Sequence, residues 1–176
     1  LSLFRTVEVL PSVCRRWWEE DCPRVYTSAV QSFVEKHVTP QILKRELGRI
    51  KSTTSFGPMS VSASLVSREV TATYVQDDFT LRVLISLPTT FPFRSAEVDC
   101  SKTLGVPQTR WKRWSLQIRI MLNNQGGTLQ DALMLWKSNV DKEFEGVEPC
   151  PVCYSVLHVK THKLPSLECT TCKNCF

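Results

Sequence analysis

The chain has 176 residues, of which 42% are hydrophobic, and a formal net charge of +5. This size and composition indicate one domain with its own core plus a small appendage, and no apolar run is long enough to cross a bilayer. The modest positive charge suits contact with an acidic surface but is too small for a dedicated nucleic-acid arm. We expect a cytosolic fragment of a larger protein, because the sequence begins at Leu1 and shows no charged-then-apolar leader.

The first 52 residues are predicted to be helical. Apolar residues recur at helical spacing as far as Trp17 and Trp18, and Pro11 predicts either one kinked helix or two short ones. Pro23 opens the next helix, and Thr39 and Pro40 restart a third. The helix from Pro23 is predicted to carry near one face Val25, Ala29, Val30, Phe33, Val34 and His37, and the helix from Thr39 is predicted to turn inward Ile42, Leu43, Leu47 and Ile50.

From Met59 the apolar period changes to two, which is typical of strands. Four alternating segments with short connections predict an antiparallel meander of four strands. Their apolar positions are Val61, Ala63 and Leu65; Val70, Ala72 and Tyr74; Phe79, Leu81, Val83, Ile85 and Leu87; and Ala96 and Val98.

Two helices are predicted after the meander. Pro107 precedes a helix with Trp111, Trp114, Ile118 and Met121 on one face, which favours tryptophans in a core over base-stacking platforms. Thr128, with Asp131 three residues later, is typical of the cap of a last helix, with Leu129, Leu133, Trp136 and Val140 inward. The predicted fold is therefore α+β.

Two Cys-x-x-Cys pairs lie near the end of the sequence, Cys150 with Cys153 and Cys169 with Cys172. A two-residue spacer lets both thiolates of a tight turn reach one Zn²⁺ ion, and the repeated spacing strengthens this interpretation. A pair of disulfides is the alternative, but a reducing cytosol favours the metal.

The spacing is compatible with two closures of the metal site. In a zinc ribbon, all four cysteines bind one ion. In a RING, two ions are bound in a cross-brace and each Cys-x-x-Cys pair contributes to a different site. Nearby candidates for further ligands are Cys175, His158 and His162, of which the histidines are weaker because exposed loop histidines are common.

Several segments resemble known proteins. The order of elements, with Leu87-Pro-Thr-Thr-Phe91-Pro92 after the third strand, resembles an RWD domain, a relative of the ubiquitin-conjugating enzyme fold. Residues 135–158 resemble the C-terminal end of the listerin family, RING-type ubiquitin-protein ligases of ribosome-associated quality control. The resemblance also covers residues 4–18, 68–74 and 111–114, and so spans essentially the whole chain.

The resemblance implies an organisation into three parts. Residues 1–22 would end a HEAT-like helical arm, 23–145 would form the RWD-like domain, and 146–176 the N-terminal half of a RING. Cys150 and Cys153 would belong to the first Zn²⁺, and Cys169 and Cys172 to the second. The remaining ligands would lie beyond residue 176, so neither site is complete, and we expect a ubiquitin transferase in the full-length protein but an inactive fragment here.

The resemblance also implies partners. A RING orients a charged ubiquitin-conjugating enzyme without covalent chemistry of its own, and Val152 would contact that enzyme. The other expected partners are proteins and rRNA of the large ribosomal subunit, a stalled nascent peptide and nascent-chain quality-control cofactors, with no membrane. Candidate ribosome contacts are the basic residues Lys44, Arg45, Arg49 and Lys51, and Arg110, Lys112, Arg113 and Arg119.

The basic residues, the zinc segment and the cysteines also have simpler interpretations. Charges on an outer helix face are usually only solvated. The alternative function is a non-catalytic ribosome-docking module with a ribbon-like zinc knob. A thioester at Cys100 is disfavoured because Asp99 and Lys102 provide no activation, and Cys100, like Cys14 and Cys22, is predicted to be packing material. No Ser-His-Asp set or phosphate loop is present.

Overall fold

A computed structural model describes residues 2–52, 56–76, 79–103 and 106–145. The fold begins with two short helices, α1 (Ser2–Val9) and α2 (Pro11–Arg16), separated at Leu10, whose backbone is not helical. Proline has no N–H to give to the preceding turn but fits the first turn of a new helix, so α2 starts at Pro11. Of the two predicted arrangements, the structure therefore has two short helices.

A π-helical turn, Trp17–Asp21, follows α2. The two adjacent tryptophans differ in environment: Trp17 is 39% exposed, whereas the Trp18 ring lies 5.5 Å from the ring of Phe93 between centroids. The loop after the third strand thus covers Trp18.

The next helices form a nearly continuous rod of α3 (Arg24–Phe33), a π-helical turn (Val34–Val38) and α4 (Thr39–Ser52). No loop precedes α4, because the Thr39 N–H bonds to the Val34 carbonyl and the wider turn carries the chain past Pro40. The predicted inward residues of α4 are all buried.

The face of α3 predicted to carry its apolar residues is largely uncovered by the described part of the chain. Val25 is 85% exposed and Phe33 is 46% exposed, and His37 in the following turn is also exposed. Only Val34 is buried among the six residues predicted for that face. The reason is tertiary: α3 has an apolar face, but none of its residues is buried by the described part of the chain.

The sheet confirms the predicted meander. It contains β1 (Met59–Ser64), β2 (Glu69–Gln76), β3 (Phe79–Ser86) and β4 (Glu97–Thr103), all antiparallel and in the order β1-β2-β3-β4. One face is buried and includes Met59, Val70, Ala72, Tyr74, Leu81, Val83, Ile85 and Val98. Leu65, predicted in β1, instead lies in the β1–β2 turn and is 46% exposed.

Two helices follow the sheet and pack against it, α5 (Gln108–Asn123) and α6 (Leu129–Phe144). Trp111, Trp114 and Ile118 of α5 are buried, and Trp136 of α6 is fully buried, which confirms their predicted core role. Thr128 and Asp131 form a capping box, with the Asp131 N–H 3.1 Å from Thr128 Oγ1. The α+β class is confirmed, while the predicted partial RING at 146–176 lies outside the described residues.

Candidate functional site

The predicted metal and conjugating-enzyme residues lie outside the described part of the chain. These are Cys150, Val152, Cys153, His158, His162, Cys169, Cys172 and Cys175. Within the described residues, no group of three or more His, Cys, Asp or Glu residues could hold a metal ion. The described residues also include no helix long and apolar enough to span a membrane. Among the predicted site residues, the structure therefore describes the basic ones, together with the contacts that position them.

A buried arginine joins the N-terminal helices to the sheet region. Arg15 of α2 is 6% exposed, and its Nε donates to the Pro92 carbonyl at 2.9 Å while its Nη1 donates to the Asn123 carbonyl. Burial lowers the pKa of Arg15, although the charge of Glu19 acts in the opposite direction. The two acceptors belong to the loop after β3 and to the end of α5, so one side chain ties three segments together.

Two contacts from α4 reinforce this junction. The Thr39 hydroxyl donates to the Phe91 carbonyl at 2.7 Å. Glu46 is buried, and its Oε2 accepts the N–H of Leu129, the first residue of α6, at 2.9 Å. A carboxylate at a helix N-terminus satisfies a free N–H and interacts favourably with the helix dipole. The positions of α4 and α6 are therefore coupled by a buried polar contact that the sequence pattern did not reveal.

The basic residues of α4 do not form one surface. Arg45 pairs with Glu8 of α1, and Arg49 pairs with Glu46 at 2.9 Å. Lys44 and Lys51 are exposed and form no ion pair with the described residues. Residues seven apart share a helix face, so Lys44 and Lys51 lie on one face and the paired arginines on another.

The basic residues of α5 are divided in the same way. Arg110 pairs with Glu143 of α6, and Arg119 Nη2 donates to the Val98 carbonyl at 3.1 Å. Lys112 and Arg113 are exposed and have no ion-pair partner among the described residues.

Two exposed apolar residues, Leu116 (56%) and Ile120 (40%), continue the outward side of α5. We call Lys112, Arg113, Leu116 and Ile120 the α5 outer face. Its apolar members were not among the predicted functional residues, although helical spacing places Leu116 and Ile120 away from the tryptophan face.

A polar network near the end of α6 was also missed by sequence analysis. The Tyr74 hydroxyl donates to Asp141 Oδ1 at 2.7 Å, and Lys137 Nζ donates to Asp141 Oδ2 at 2.6 Å. Burial, followed by the hydrogen bond to Asp141, raises the pKa of Tyr74 above its usual range. Burial acts to raise the pKa of Asp141, but the hydrogen bonds from Lys137 and Tyr74 hold that pKa below its ordinary value. The network fixes the last turns of α6 on the sheet.

The two free cysteines of the helical region differ in burial, because Cys14 is buried and Cys22 is only partly buried. Burial raises the pKa of the Cys14 thiol, which disfavours the thiolate. The predicted packing role of Cys14 agrees with its burial, while the Cys100 side chain lies outside the described part of the structure.

Comparison with known proteins identifies both halves of the described chain. Residues 59–143 match the family described as ubiquitin conjugating domain-like, and residues 3–51 match the LTN1 family HEAT repeat region. The first match agrees with the predicted RWD-like fold. The division of the chain at residues 22 and 145 stays a prediction.

The relatives cover almost all of the chain. The E3 ubiquitin-protein ligase listerin of Gallus gallus is 38% identical over 172 residues, which are 97% of this chain and 10% of the relative. The protein of that name in Mus musculus gives the same values, and that in Saccharomyces cerevisiae is 31% identical over 180 residues, covering 99% of this chain and 11% of the relative. The chain thus spans about a tenth of the length of the curated relatives it matches. With both halves matched and near-complete coverage, the chain belongs to the listerin family.

Proposed function

We propose that this chain is the C-terminal part of an E3 ubiquitin-protein ligase that docks on the large ribosomal subunit. There it recruits a ubiquitin-conjugating enzyme to ubiquitinate stalled nascent chains, working in the cytosol. The observation that carries this proposal is the 38% identity to E3 ubiquitin-protein ligase listerin over 97% of the chain. The fold contributes two exposed basic pairs, Lys44 with Lys51 and Lys112 with Arg113, which form no ion pair with the described residues.

The ligase part of the proposal rests on residues 146–176. The four cysteines at Cys150, Cys153, Cys169 and Cys172 provide thiolates, which are preferred zinc donors, at a spacing typical of zinc knuckles. Zinc bound there supplies folding free energy to a segment too short for its own core. Val152 between the first two cysteines would present an apolar contact to the conjugating enzyme, whose bound ubiquitin is then held in a reactive orientation.

The docking part rests on the α5 outer face. Lys112 and Arg113 are available to rRNA phosphates because no carboxylate of the described residues neutralises them. Leu116 and Ile120 add an apolar area of the kind found at protein interfaces, which suits a ribosomal protein beside the rRNA. Arg110 and Arg119 already have partners within the fold, so we assign them to positioning α5.

Charge reversal on α5 tests docking. In the full-length protein, Lys112→Glu with Arg113→Glu should weaken cosedimentation with purified large subunits by about tenfold or more at moderate salt, because two phosphate contacts are replaced by repulsion. The matched control is Arg24→Glu with Lys36→Glu, which makes the same charge change at exposed residues of the α3 rod. Equal binding of both variants to the subunit would reject the α5 outer face as the docking surface.

A second test separates a ligase from a non-catalytic docking module. Zinc analysis of the full-length protein should give two ions in this region, and Val152→Arg should abolish conjugating-enzyme binding with the zinc content unchanged. A single ion bound by the four cysteines, with no ubiquitin transfer by the full-length protein, would instead support the docking module.

A further inference from the structure

A groove lies between α4 and the β1–β2 turn, on a different face of α4 from the paired arginines Arg45 and Arg49. Its volume is about 410 Å³, within the range of ligand sites. The residues that line it and matter here are Glu35, Leu43, Lys44, Leu65, Arg68 and Thr89. None of the sequence patterns pointed to it, because its walls come from three separate segments.

Arg68 has an unusual conformation at this groove. Its φ angle is +57°, in the left-handed region that is unfavourable for residues with a Cβ atom. The Arg68 carbonyl accepts the Leu87 N–H at 2.9 Å, which holds this backbone at the end of β3. Its Nε is buried and has no hydrogen-bond acceptor among the residues that the structure describes. The residue as a whole is only partly buried and lines the groove, so a ligand there can approach its cationic side chain, which forms no ion pair with the described residues.

The charges of the groove favour an anion. Lys44 is exposed and forms no ion pair with the described residues. The carboxylate of Glu35 is engaged by the Thr89 hydroxyl at 3.0 Å and the Gln31 side-chain amide at 3.1 Å. Two cations therefore face one carboxylate that is already hydrogen-bonded within the protein.

The apolar part of the groove favours a polypeptide over a nucleic acid. Leu43 is buried in its wall, while Leu65 lines the groove and is 46% exposed, and the next residue of the β1–β2 turn, Val66, is 91% exposed. A phosphate backbone gains from a row of cations and gains nothing from leucine, valine or the Glu35 carboxylate. A peptide offers both chemistries, a carboxylate and an adjacent apolar side chain.

We propose that this groove binds an acidic segment of a partner polypeptide. An Asp or Glu carboxylate of the segment lies between Lys44 and Arg68, and a neighbouring apolar side chain packs on Leu65. The site is separate from the α5 outer face, and it would operate whether or not the ribosome-docking proposal is correct.

Peptide selection on the full-length protein tests this proposal. A phage-displayed library of random heptapeptides should enrich sequences with an acidic residue next to an apolar one. Fluorescein-labelled copies of the enriched peptides should lose at least tenfold in affinity, measured by fluorescence anisotropy, for the Lys44→Glu, Arg68→Gly double variant. Replacing the peptide's acidic residue by its amide should cost a similar factor against the unchanged protein.

Two controls keep the result interpretable. Arg68→Gly suits the left-handed backbone, so the double variant should unfold at no lower temperature than the parent, which shows that lost binding is not lost folding. Lys51→Glu makes the same charge reversal on α4 outside the groove and should leave peptide affinity unchanged. Enriched peptides that lack acidic residues, or that bind the double variant as well as the parent, would overturn the proposal. So would poly-uridine RNA that binds the parent and is lost with the same double variant, since the groove would then be a phosphate site.

Discussion

The N-terminal helices and the sheet region differ in how far their apolar residues are buried. In the sheet region, residues 59–144, most of the predicted apolar positions are buried, although Val61, Ala63 and Met121 are only partly buried and Leu65 is exposed. In the helices, large apolar side chains remain exposed, including Val9 at 73%, Val25 at 85% and Tyr26 at 61%. Paired strands supply one another with apolar neighbours, because the hydrogen bonds between them place side chains of adjacent strands side by side on one face of the sheet. A helix needs a separate element to cover its apolar face, and HEAT-type repeats obtain that cover from adjacent repeats.

The two regions are nevertheless one structural unit. Arg15, Thr39 and Glu46 each cross from the helices to backbone groups of the sheet region. These backbone groups belong to loops and helix ends that lack partners in their own secondary structure. These contacts add directional polar bonds to an apolar core that the two regions share.

The largest expected effect tests the difference in burial. Trp136→Ala should reduce the free energy of unfolding by about 3–5 kcal/mol, because a fully buried ring is replaced by a cavity. Tyr26→Ala, at a 61% exposed position of α3, should change it by less than about 0.5 kcal/mol. Urea denaturation followed by circular dichroism measures both. A Tyr26→Ala loss close to that of Trp136→Ala would show that α3 is covered and that the contrast is wrong.

The next effect tests the junction. Arg15→Met should cost about 2–3 kcal/mol, since charged hydrogen bonds are lost and the carbonyls of Pro92 and Asn123 are left without this donor. Arg16→Met is the neighbouring control, because Arg16 is exposed and pairs only with Glu20 on the surface. Urea denaturation should separate the two variants clearly, and identical midpoints would mean that Arg15 does not hold the regions together.

The smallest effect is a pH dependence that originates in the sheet region. The folded pKa of Asp141 lies below its ordinary value of 3.8, so its ionised form stabilises the fold. That stabilisation is fully present above about pH 3.8 and is lost as the pH falls through the lower folded pKa. Asp141→Asn should therefore reduce stability at pH 7, by less than about 1 kcal/mol because the side chain is partly solvated.

Urea denaturation at pH 7 and at pH 3 provides the measurement for Asp141. The difference between the parent and Asp141→Asn should shrink at the lower pH. A difference that grows on acidification would contradict the assigned sign.

Much of the fold followed from local patterns. Alternation of apolar residues predicted four antiparallel strands, and the spacing of Thr128 and Asp131 predicted the cap of α6. Leu65 and Val25 are exposed for one reason. Both fit an apolar period, but that period does not specify which other element would cover them.

The candidate surfaces required tertiary structure for the same reason. Sequence alone grouped eight basic residues, and family membership came from near-complete coverage by relatives. Only the structure revealed that Arg45 is neutralised by Glu8, 37 residues away, and Arg110 by Glu143, 33 residues away. Spacing within one element determines which side chains share a face. The partner of a charge, and the groove formed by Lys44 and Arg68, depend on contacts between elements far apart in the chain.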